Sequence, residues 1–335
     1  MCYIFNERYS KAYPERPVIH SSGHTSNEAA SDDMLSQSIE RGDSMKIGII
    51  GAGRVGFSIG RFLHDNGNHI VGYYDSDIQN AADAAKFTGT DCFSEIDKPV
   101  ALSDTLFITT PDSIISTVWD CIKEMPVENK IICHFSGSLS SDVFSGAAGL
   151  GAKACSVHPL LAFSDKYSSY KSLKNAFFTA EGDSDAVSAI EEMLCSAGCS
   201  VRHIDKSSKS LYHTAASFLS NHMVALLDVG YSLLQQCGFS RNDAIKATSS
   251  LVKENVRNVL DSDCVNALTG PVERGDTQTV EKHLQSLDSS DRLVYLALVN
   301  RLLKLSKQKN KDRDYSEIEK LIKLNMSLCE LTEES

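Results

Sequence analysis

The 335-residue sequence has no apolar run near the roughly 20 residues that a membrane-spanning helix needs. Its best candidate, residues 223–234, is short and is interrupted by Asp228. The chain also lacks a basic excess, because 33 Lys and Arg stand against 44 Asp and Glu, a formal net charge of -11. We therefore expect neither a membrane segment nor a nucleic-acid partner.

Metal-binding cysteine spacing is also missing. None of the ten cysteines forms a CxxC pair, and the closest two, Cys195 and Cys199, are expected near a helix end. We expect no metal site. Residues 1–11 lack the apolar stretch of a secretory signal. Scattered cysteines without such a signal are typical of a cytoplasmic protein with reduced thiols.

Residues 1–44 have no periodic apolar pattern and contain Ser, Asn, Asp and Glu with isolated aromatic residues. This composition predicts a disordered extension. Met45 opens the first apolar strand, so the sequence leaves open whether it is the initiator.

From Met45 onward the sequence has two regions with different secondary-structure patterns. Strand-like and helix-like patterns alternate over 45–206, which predicts a Rossmann-type α/β domain with a mostly parallel, doubly wound sheet. Strands are predicted at 45–50, 69–74, 105–109, 130–134, 153–157, 175–180 and 200–204. The helices between them are predicted at 54–66, 78–87, 113–123, 139–149 and 185–197. Residues 207–335 carry helical patterns alone, at 209–236, 241–260, 277–287, 290–307 and 315–329, and predict an all-α C-terminal domain for substrate binding or dimerisation.

A glycine motif follows the first strand and opens the first helix. Gly51-Ala52-Gly53-Arg54-Val55-Gly56 is a GxGxxG sequence in the context that dinucleotide binding requires. Gly51 permits a tight turn, Gly53 lets the backbone approach a pyrophosphate, and Gly56 allows close packing of helix and strand. The motif predicts that residues 51–56 bind NAD(P)H.

Asp75 ends the second predicted strand. A carboxylate there can bind the adenosine ribose hydroxyls and repel a 2'-phosphate, which favours NADH. The alternative is a plain turn residue at the strand end.

Three later strand ends supply polar residues to the same edge of the sheet, where ligands of such sheets bind. Thr110 and Pro111 are expected beside the nicotinamide half, and Asp112 is expected to cap the next helix. Ser136 and His158 are candidates for binding a substrate carboxylate. Their alternatives are helix capping for the serine and a structural role for the histidine.

Lys209, His213 and Asn221 are spaced at multiples of four on one predicted helix. A lysine ammonium there can donate the proton that hydride transfer to a carbonyl requires, and an asparagine can orient the carbonyl oxygen. The alternative is a solvated helix face. Arg274, in the loop at 268–276, can clamp a substrate carboxylate or pair with Asp276.

Seven segments together resemble a known family. They are GAGRVG at 51–56, TPD at 110–112, HFSGSLSSDV at 134–143, SVHPLLAF at 156–163, EGD at 181–183, LYHTAASFLSNH at 211–222 and LTGPVERGD at 268–276. Over residues 45–287 the chain resembles Rossmann-like proteins of largely unknown function with a helical C-terminal domain, one branch of which is regarded as an alternative ketopantoate reductase. It is also similar to 6-phosphogluconate-type, prephenate and pyrroline-5-carboxylate enzymes.

The resemblance implies an NAD(P)H-dependent oxidoreductase. Lys209 and Asn221 match in type the Lys and Asn of related enzymes, with His213 as the alternative proton donor. The family often has Ser-Arg where this chain has Asp75-Ser76, so the choice between NADH and NADPH stays open.

We therefore expect a cytoplasmic homodimer that reduces a small 2-oxo acid, with ketopantoate as the leading candidate. The alternatives are an imine reductase of the pyrroline-5-carboxylate type and a non-catalytic NAD(P)-binding regulatory protein.

Overall fold

A computed structural model describes residues 45–333. The predicted disordered extension, residues 1–44, lies outside the described residues. Contacts divide the chain into two compact units at Ser220–Asn221.

The first unit is built on one eight-stranded sheet. Its order, β3-β2-β1-β4-β5-β6-β7-β8, contains the Rossmann order 3-2-1-4-5-6. All neighbours pair in parallel except β6 and β7. The strands are β1 (Lys46–Ile50), β2 (His69–Tyr74), β3 (Asp91–Phe93), β4 (Thr105–Ile108), β5 (Ile131–His134), β6 (Lys153–Pro159), β7 (Phe177–Gly182) and β8 (Ser200–His203). The predicted fold class, a mostly parallel doubly wound sheet followed by helices, is confirmed.

Helices connect the strands of this unit. They are α1 (Arg54–Asp65), α2 (Ile78–Thr88), α3 (Asp97–Leu102), α4 (Asp112–Ile122), α5 (Ser184–Ser196) and α6 (Lys209–Leu219). Successive side chains of a strand point to opposite faces of the sheet, so both faces can pack against helices. Ile49 packs into one core cluster, which contains Phe57 of α1, whereas Ile50 packs into another, which contains Trp119 of α4.

The helix predicted at 139–149 does not form. Two short 3-10 turns, Ser141–Val143 and Ala148–Leu150, replace it. Two interactions explain the difference. Gly146 has a φ of +82°, outside the helical region, and the Ser141 amide and hydroxyl both donate to the Glu181 carboxylate at 2.8 Å. The prediction of one helix there was wrong.

The single helix predicted over 209–236 is also wrong. It is two helices, α6 and α7 (Asn221–Gln236), separated by Ser220, which has a φ of -121° and a ψ of -81°. The Ser220 hydroxyl donates to the Ala216 carbonyl at 2.7 Å, a contact that competes with the helical backbone. Lys209 and Asn221 therefore do not share one continuous helix face. The contact boundary also falls later than the boundary predicted near Lys206, because α6 belongs to the sheet unit.

The second unit is helical. Its helices are α7, α8 (Arg241–Asp261), α9 (Cys264–Ala267), α10 (Pro271–Arg274), α11 (Thr277–Gln285), α12 (Ser289–Lys309) and α13 (Ser316–Glu333). Val272, Val280 and Leu296 belong to its core. By contrast, none of the residues of α7 is buried, and Ala244 is the one buried residue of α8. None of the helices in the described part of the chain is long and apolar enough to cross a bilayer.

Candidate functional site

Two glycines of the loop after β1, Gly51 and Gly56, have no room for a side chain. Gly51 has a φ of +103°, and a Cβ on it would lie 2.8 Å from the Thr110 backbone nitrogen. A Cβ on Gly56 would collide with the Gly51 carbonyl oxygen and the Thr109 hydroxyl. Thr109 Oγ1 donates to that same carbonyl at 2.6 Å. The ends of β1 and β4 thus hold the loop tightly against α1.

Gly53 differs from the other two glycines of the loop. It is exposed, and no atom lies within 4 Å of the position a Cβ would take. It is the N-cap of α1 and has no side chain to cap the helix. The amide groups of the first helical turn, starting at Arg54 and Val55, are therefore available to a ligand, and the helix dipole favours an anion there.

A buried hydroxyl beside this loop has no partner. Thr110 Oγ1 is shielded from solvent and makes no hydrogen bond among the described residues. An unsatisfied buried hydroxyl is unfavourable, so a ligand that bonds it would be stabilised. We call the open backbone at Gly53 and the first-turn amides of Arg54 and Val55 the glycine cradle. This cradle fits the pyrophosphate of a dinucleotide, and the Thr110 hydroxyl fits the neighbouring part of it.

Asp75 lies between the glycine loop and the end of β2. Its carboxylate accepts hydrogen bonds from the backbone amides of Ala52 at 2.7 Å and Asp77 at 2.9 Å. The carboxylate therefore shapes the loop, and its negative charge stands beside residues 51–53. The remaining lone pairs of its oxygens can still accept from ribose hydroxyls.

Asp112 connects the ends of β4 and β5. Its Oδ2 accepts from the Ser136 and Ser138 hydroxyls, both at 2.7 Å. The N-cap of α4 is Pro111, so the expectation that Asp112 caps this helix was wrong. Ser136 Oγ also accepts from the amides of Ser138 and Leu139. The Ser136 hydroxyl thus organises this loop, and substrate binding by Ser136 stays a prediction.

The Lys209 ammonium is enclosed in the sheet unit, with the residue 2% exposed. Its Nζ donates to the Ser136 carbonyl and to Ser156 Oγ, both at 2.8 Å. Burial lowers the pKa of Lys209, and the Glu181 carboxylate opposes that shift. Lys209 therefore fastens the first turn of α6 to the loop after β5 and to β6. It does not lie on a solvated helix face, which was the alternative from the sequence.

His158 lies near the end of β6, and its closest polar partner is a tyrosine that the sequence did not single out. His158 Nδ1 and Tyr212 Oη are 2.7 Å apart, with the two rings edge to face at 5.6 Å. Gly137 sits against both His158 and His213, since a Cβ there would be 2.9 Å from His158 Nε2 and 2.5 Å from His213 Nδ1. That His213 nitrogen is buried and has no hydrogen-bond partner in the part of the chain that the structure describes.

Tyr212 carries a signal that could have identified it. It stands three residues after Lys209 and directly before His213, inside the LYHTAASFLSNH segment. Residues three apart share a helix face, so the face that contains Lys209 also contains Tyr212.

Asn221 and Arg274 belong to the second unit. Arg274 is exposed at the end of α10, and no ion pair joins it to Asp276 among the described residues. Asp276 instead caps α11 by accepting from the Thr279 amide at 3.0 Å. The catalytic and substrate-binding roles of Asn221 and Arg274 stay predictions. In the described part of the chain, no cluster of three or more His, Cys, Asp and Glu is placed to hold a metal ion.

Two family models match the chain. One is described as a Rossmann-like domain and covers residues 31–159, and the other is described as a domain of unknown function, DUF2520, and covers residues 176–302. Along the chain, a match to a Rossmann-like domain is thus followed by a match to DUF2520, and the resemblance inferred from the sequence is confirmed at that level. No curated protein sequence is a significant match.

Solved structures share this fold over most of their length. A Bacteroides fragilis protein named as a candidate NADP oxidoreductase has a TM-score of 0.64 and 21% identity, with 78% of this chain and 98% of that chain covered. A pyrroline-5-carboxylate reductase from Coxiella burnetii has a TM-score of 0.55 and 14% identity, with 80% of this chain and 99% of that chain covered. A reductive aminase from Aspergillus terreus in complex with NADPH has a TM-score of 0.55 and 15% identity, with 83% of this chain and 99% of that chain covered. At these identities the likeness concerns the fold.

Replacing Lys209 tests its anchoring role. We expect Lys209→Met to lower the free energy of unfolding by about 1–3 kcal/mol, because the Ser136 carbonyl and the Ser156 hydroxyl lose their buried donor. Urea unfolding followed by circular dichroism measures this. Lys206→Met is the matched control, since that lysine pairs with Asp142 at the surface and such pairs contribute little. Equal stability of both variants would contradict the anchoring role.

The pKa of His158 is lowered to about 4, first by burial and then by the positive charge of Lys209. In the unfolded chain a histidine titrates near 6.5, so the unfolded state binds more protons between these values. This contribution to stability is full above pH 6.5 and is lost as the pH falls towards 4, with a magnitude on the order of 3 kcal/mol. The pKa of His134 is lowered in the same way.

We therefore expect wild type to lose more stability than His158→Gln between about pH 7.5 and pH 5, because the glutamine has no proton to gain. Urea unfolding at both pH values is the measurement. The same loss in both proteins would show that His158 titrates normally in the folded state.

Proposed function

We propose that the chain is an NAD(P)H-dependent oxidoreductase. The observation that carries the proposal is the glycine loop, which is open at Gly53, ends in an uncapped helix N-terminus and lies beside the unsatisfied Thr110 hydroxyl. When bound, NAD(P)H supplies a hydride. Gly51, Gly53 and Gly56 give the pyrophosphate its backbone approach, and the first-turn amides, from Arg54 and Val55 onward, stabilise its charge.

The remaining cofactor contacts are assigned from position. Thr110 and Pro111 border the nicotinamide half at the end of β4. Asp75, fixed against Ala52, faces the adenosine ribose and disfavours a 2'-phosphate. Asp75 thus favours NADH, whereas the similar solved structures include proteins named with NADP or NADPH. The preference between NADH and NADPH is left to direct titration of both.

The substrate we propose is a small 2-oxo acid, with ketopantoate as the leading candidate. Ser136, His158 and Arg274 are the proposed carboxylate and carbonyl contacts. For Ser136 the contact would come through its loop, because its hydroxyl is bonded to Asp112. Lys209, His213 and Asn221 remain the proposed catalytic group taken from the sequence.

An imine reductase of the pyrroline-5-carboxylate type is a second candidate, and the burial of Lys209 favours it. Two of the three ammonium protons of Lys209 are engaged inside the protein. A protonated imine needs no such donor, whereas a ketone does. Turnover of cyclic imines but not of 2-oxo acids would select this candidate. Stabilisation by NAD(P)H without any turnover would instead indicate a regulatory binding protein.

We also propose a cytoplasmic homodimer formed through the helical unit. Its support is the apolar surface of α7 and α8, where Val224 is 69%, Leu251 63% and Leu260 79% exposed. Exposed apolar surface of this extent is typical of an interface. None of the eight cysteines whose side chains the structure describes belongs to a disulfide bond, which is compatible with a reducing compartment.

Gly53→Val tests cofactor binding without disturbing the fold. The Cβ position is free of neighbours and the φ of Gly53 is -71°, so we expect unchanged unfolding, while the added methyl groups exclude the pyrophosphate. Titration with NADH and NADPH should show affinity lost by about 100-fold or more, roughly 3 kcal/mol. An assay with ketopantoate then tests the substrate.

Binding by Gly53→Val with the wild-type affinity would refute the glycine cradle as the cofactor site. Gly149→Val is the matched control, because Gly149 is also exposed in the sheet unit, has no atom within 4 Å of its Cβ position and lies outside the glycine loop. It should leave cofactor affinity unchanged.

Leu251→Glu tests the homodimer. A charge on this exposed apolar position should shift the protein from dimer to monomer, because burying it at an interface is costly. Light scattering coupled to size-exclusion chromatography measures the mass of both proteins. A wild-type protein that is monomeric at all concentrations would rule the interface out.

A further inference from the structure

A proton donor is needed wherever a carbonyl is reduced, and the best-placed group in the sheet unit is a tyrosine. We propose that Tyr212 is the proton donor of the reaction and that His158 holds and orients its phenol. This inference rests on the proposed reductase function. It assigns a catalytic residue other than Lys209, His213 and Asn221.

The contact between the two side chains supports this assignment. His158 Nδ1 and Tyr212 Oη are 2.7 Å apart, and their rings meet edge to face. The Thr179 hydroxyl also interacts with the Tyr212 phenol. If His158 Nδ1–H and the Thr179 hydroxyl both donate to the phenol oxygen, the phenol O–H stays available to a substrate oxygen. Tyr212 is half-buried, and the contact with His158 holds its hydroxyl in place.

Tyr212 is also connected to the cofactor cradle by continuous contacts within one unit. Asp112, which follows Thr110 and Pro111, bonds the Ser136 hydroxyl, and Gly137 packs against His158. Because the carboxyl ends of β4, β5 and β6 lie at one edge of the sheet, these contacts form one row from the glycine loop to Tyr212.

Lys209 is a poorer proton donor than Tyr212, but its ammonium helps to position Tyr212. Its ammonium is committed to the Ser136 carbonyl and Ser156 Oγ, so it acts as a positioning residue one helical turn before Tyr212. Its positive charge adds to burial in keeping His158 neutral. The other groups facing His158 are His213 and His134, which act in the same direction, and Asp112, which opposes them.

The proton and electron balance of the step is simple. The carbonyl carbon gains a hydride from NAD(P)H and forms a C–H bond, while the π electrons of C=O move to the oxygen. The Tyr212 O–H bond breaks and its proton forms the product hydroxyl. The carbonyl is reduced and the nicotinamide is oxidised. The phenolate, stabilised by the His158 Nδ1–H, then takes a proton from water.

Burial raises the pKa of the Tyr212 phenol, and the interaction with the Thr179 hydroxyl opposes that shift without reversing it. The phenol is therefore protonated at neutral pH, as a proton donor must be. A positioned general acid contributes about 100-fold or more to the rate.

Tyr212→Phe is the test, because it removes the hydroxyl and keeps the ring. We expect kcat with the 2-oxo acid to fall about 100-fold or more, while the Kd for NAD(P)H stays within about twofold. A second readout does not depend on turnover. In NMR spectra of the histidine rings, His158 should lose its hydrogen-bonded Nδ1–H signal in Tyr212→Phe.

The chain offers a matched control in its second unit. His283 Nδ1 and Tyr295 Oη are also 2.7 Å apart, with rings at 5.7 Å and an interplanar angle of 85°. Tyr295→Phe removes the same kind of hydrogen bond, and we expect it to leave kcat unchanged.

The outcomes separate the two proposals. If wild type oxidises NAD(P)H with a carbonyl substrate and Tyr212→Phe keeps its kcat, the inference is overturned while the proposed function stands. A larger loss of kcat in His213→Gln than in Tyr212→Phe would also overturn it, in favour of His213. If wild type oxidises no cofactor with any carbonyl, the proposed function fails first, and the inference fails with it.

Discussion

A buried positive charge organises the candidate site. Once Lys209 is enclosed, its ammonium must be hydrogen-bonded, because an unpaired charge in the protein interior is very costly. The Ser136 carbonyl and the Ser156 hydroxyl meet that need, and they lie in the loop after β5 and within the neighbouring strand β6. The same contact therefore fixes the loop after β5 and the start of α6, and through α6 it fixes Tyr212 against His158.

Polar groups around this charge are satisfied by one another rather than by solvent. His134 illustrates the point, since its Nδ1 accepts from the Ser136 amide and its Nε2 can donate to the Ser140 carbonyl. With Asp112 holding both serine hydroxyls, little of the loop is free to move. Thr110 Oγ1 and His213 Nδ1 are among the buried atoms that have no hydrogen-bond partner in the described residues, and a ligand can satisfy both.

The sequence predicted the sheet unit well because its signals are local. Strand and helix periodicity, and a glycine motif between β1 and α1, depend on neighbours in the chain. What the sequence could not provide were contacts between distant residues. The helix predicted at 139–149 gave way to turns since Ser141 bonds Glu181, 40 residues away in sequence. The sequence singled out Lys209 as a candidate proton donor, but the burial of its ammonium depends on Ser136 and Ser156, which periodicity does not reveal.

The antiparallel pairing of β7 with β6 limits the length of the row of strand ends at the edge of the sheet that carries the glycine loop. The six parallel strands from β3 to β6 all end at the edge that carries the glycine loop, and the reversal at β7 ends this row. Three strand spacings separate β1 from β6, which is about 14 Å. The distance between the loop after β1 and the histidine near the end of β6 is therefore set by backbone hydrogen bonding alone. Side-chain substitutions can alter what binds along this row, but they cannot lengthen it.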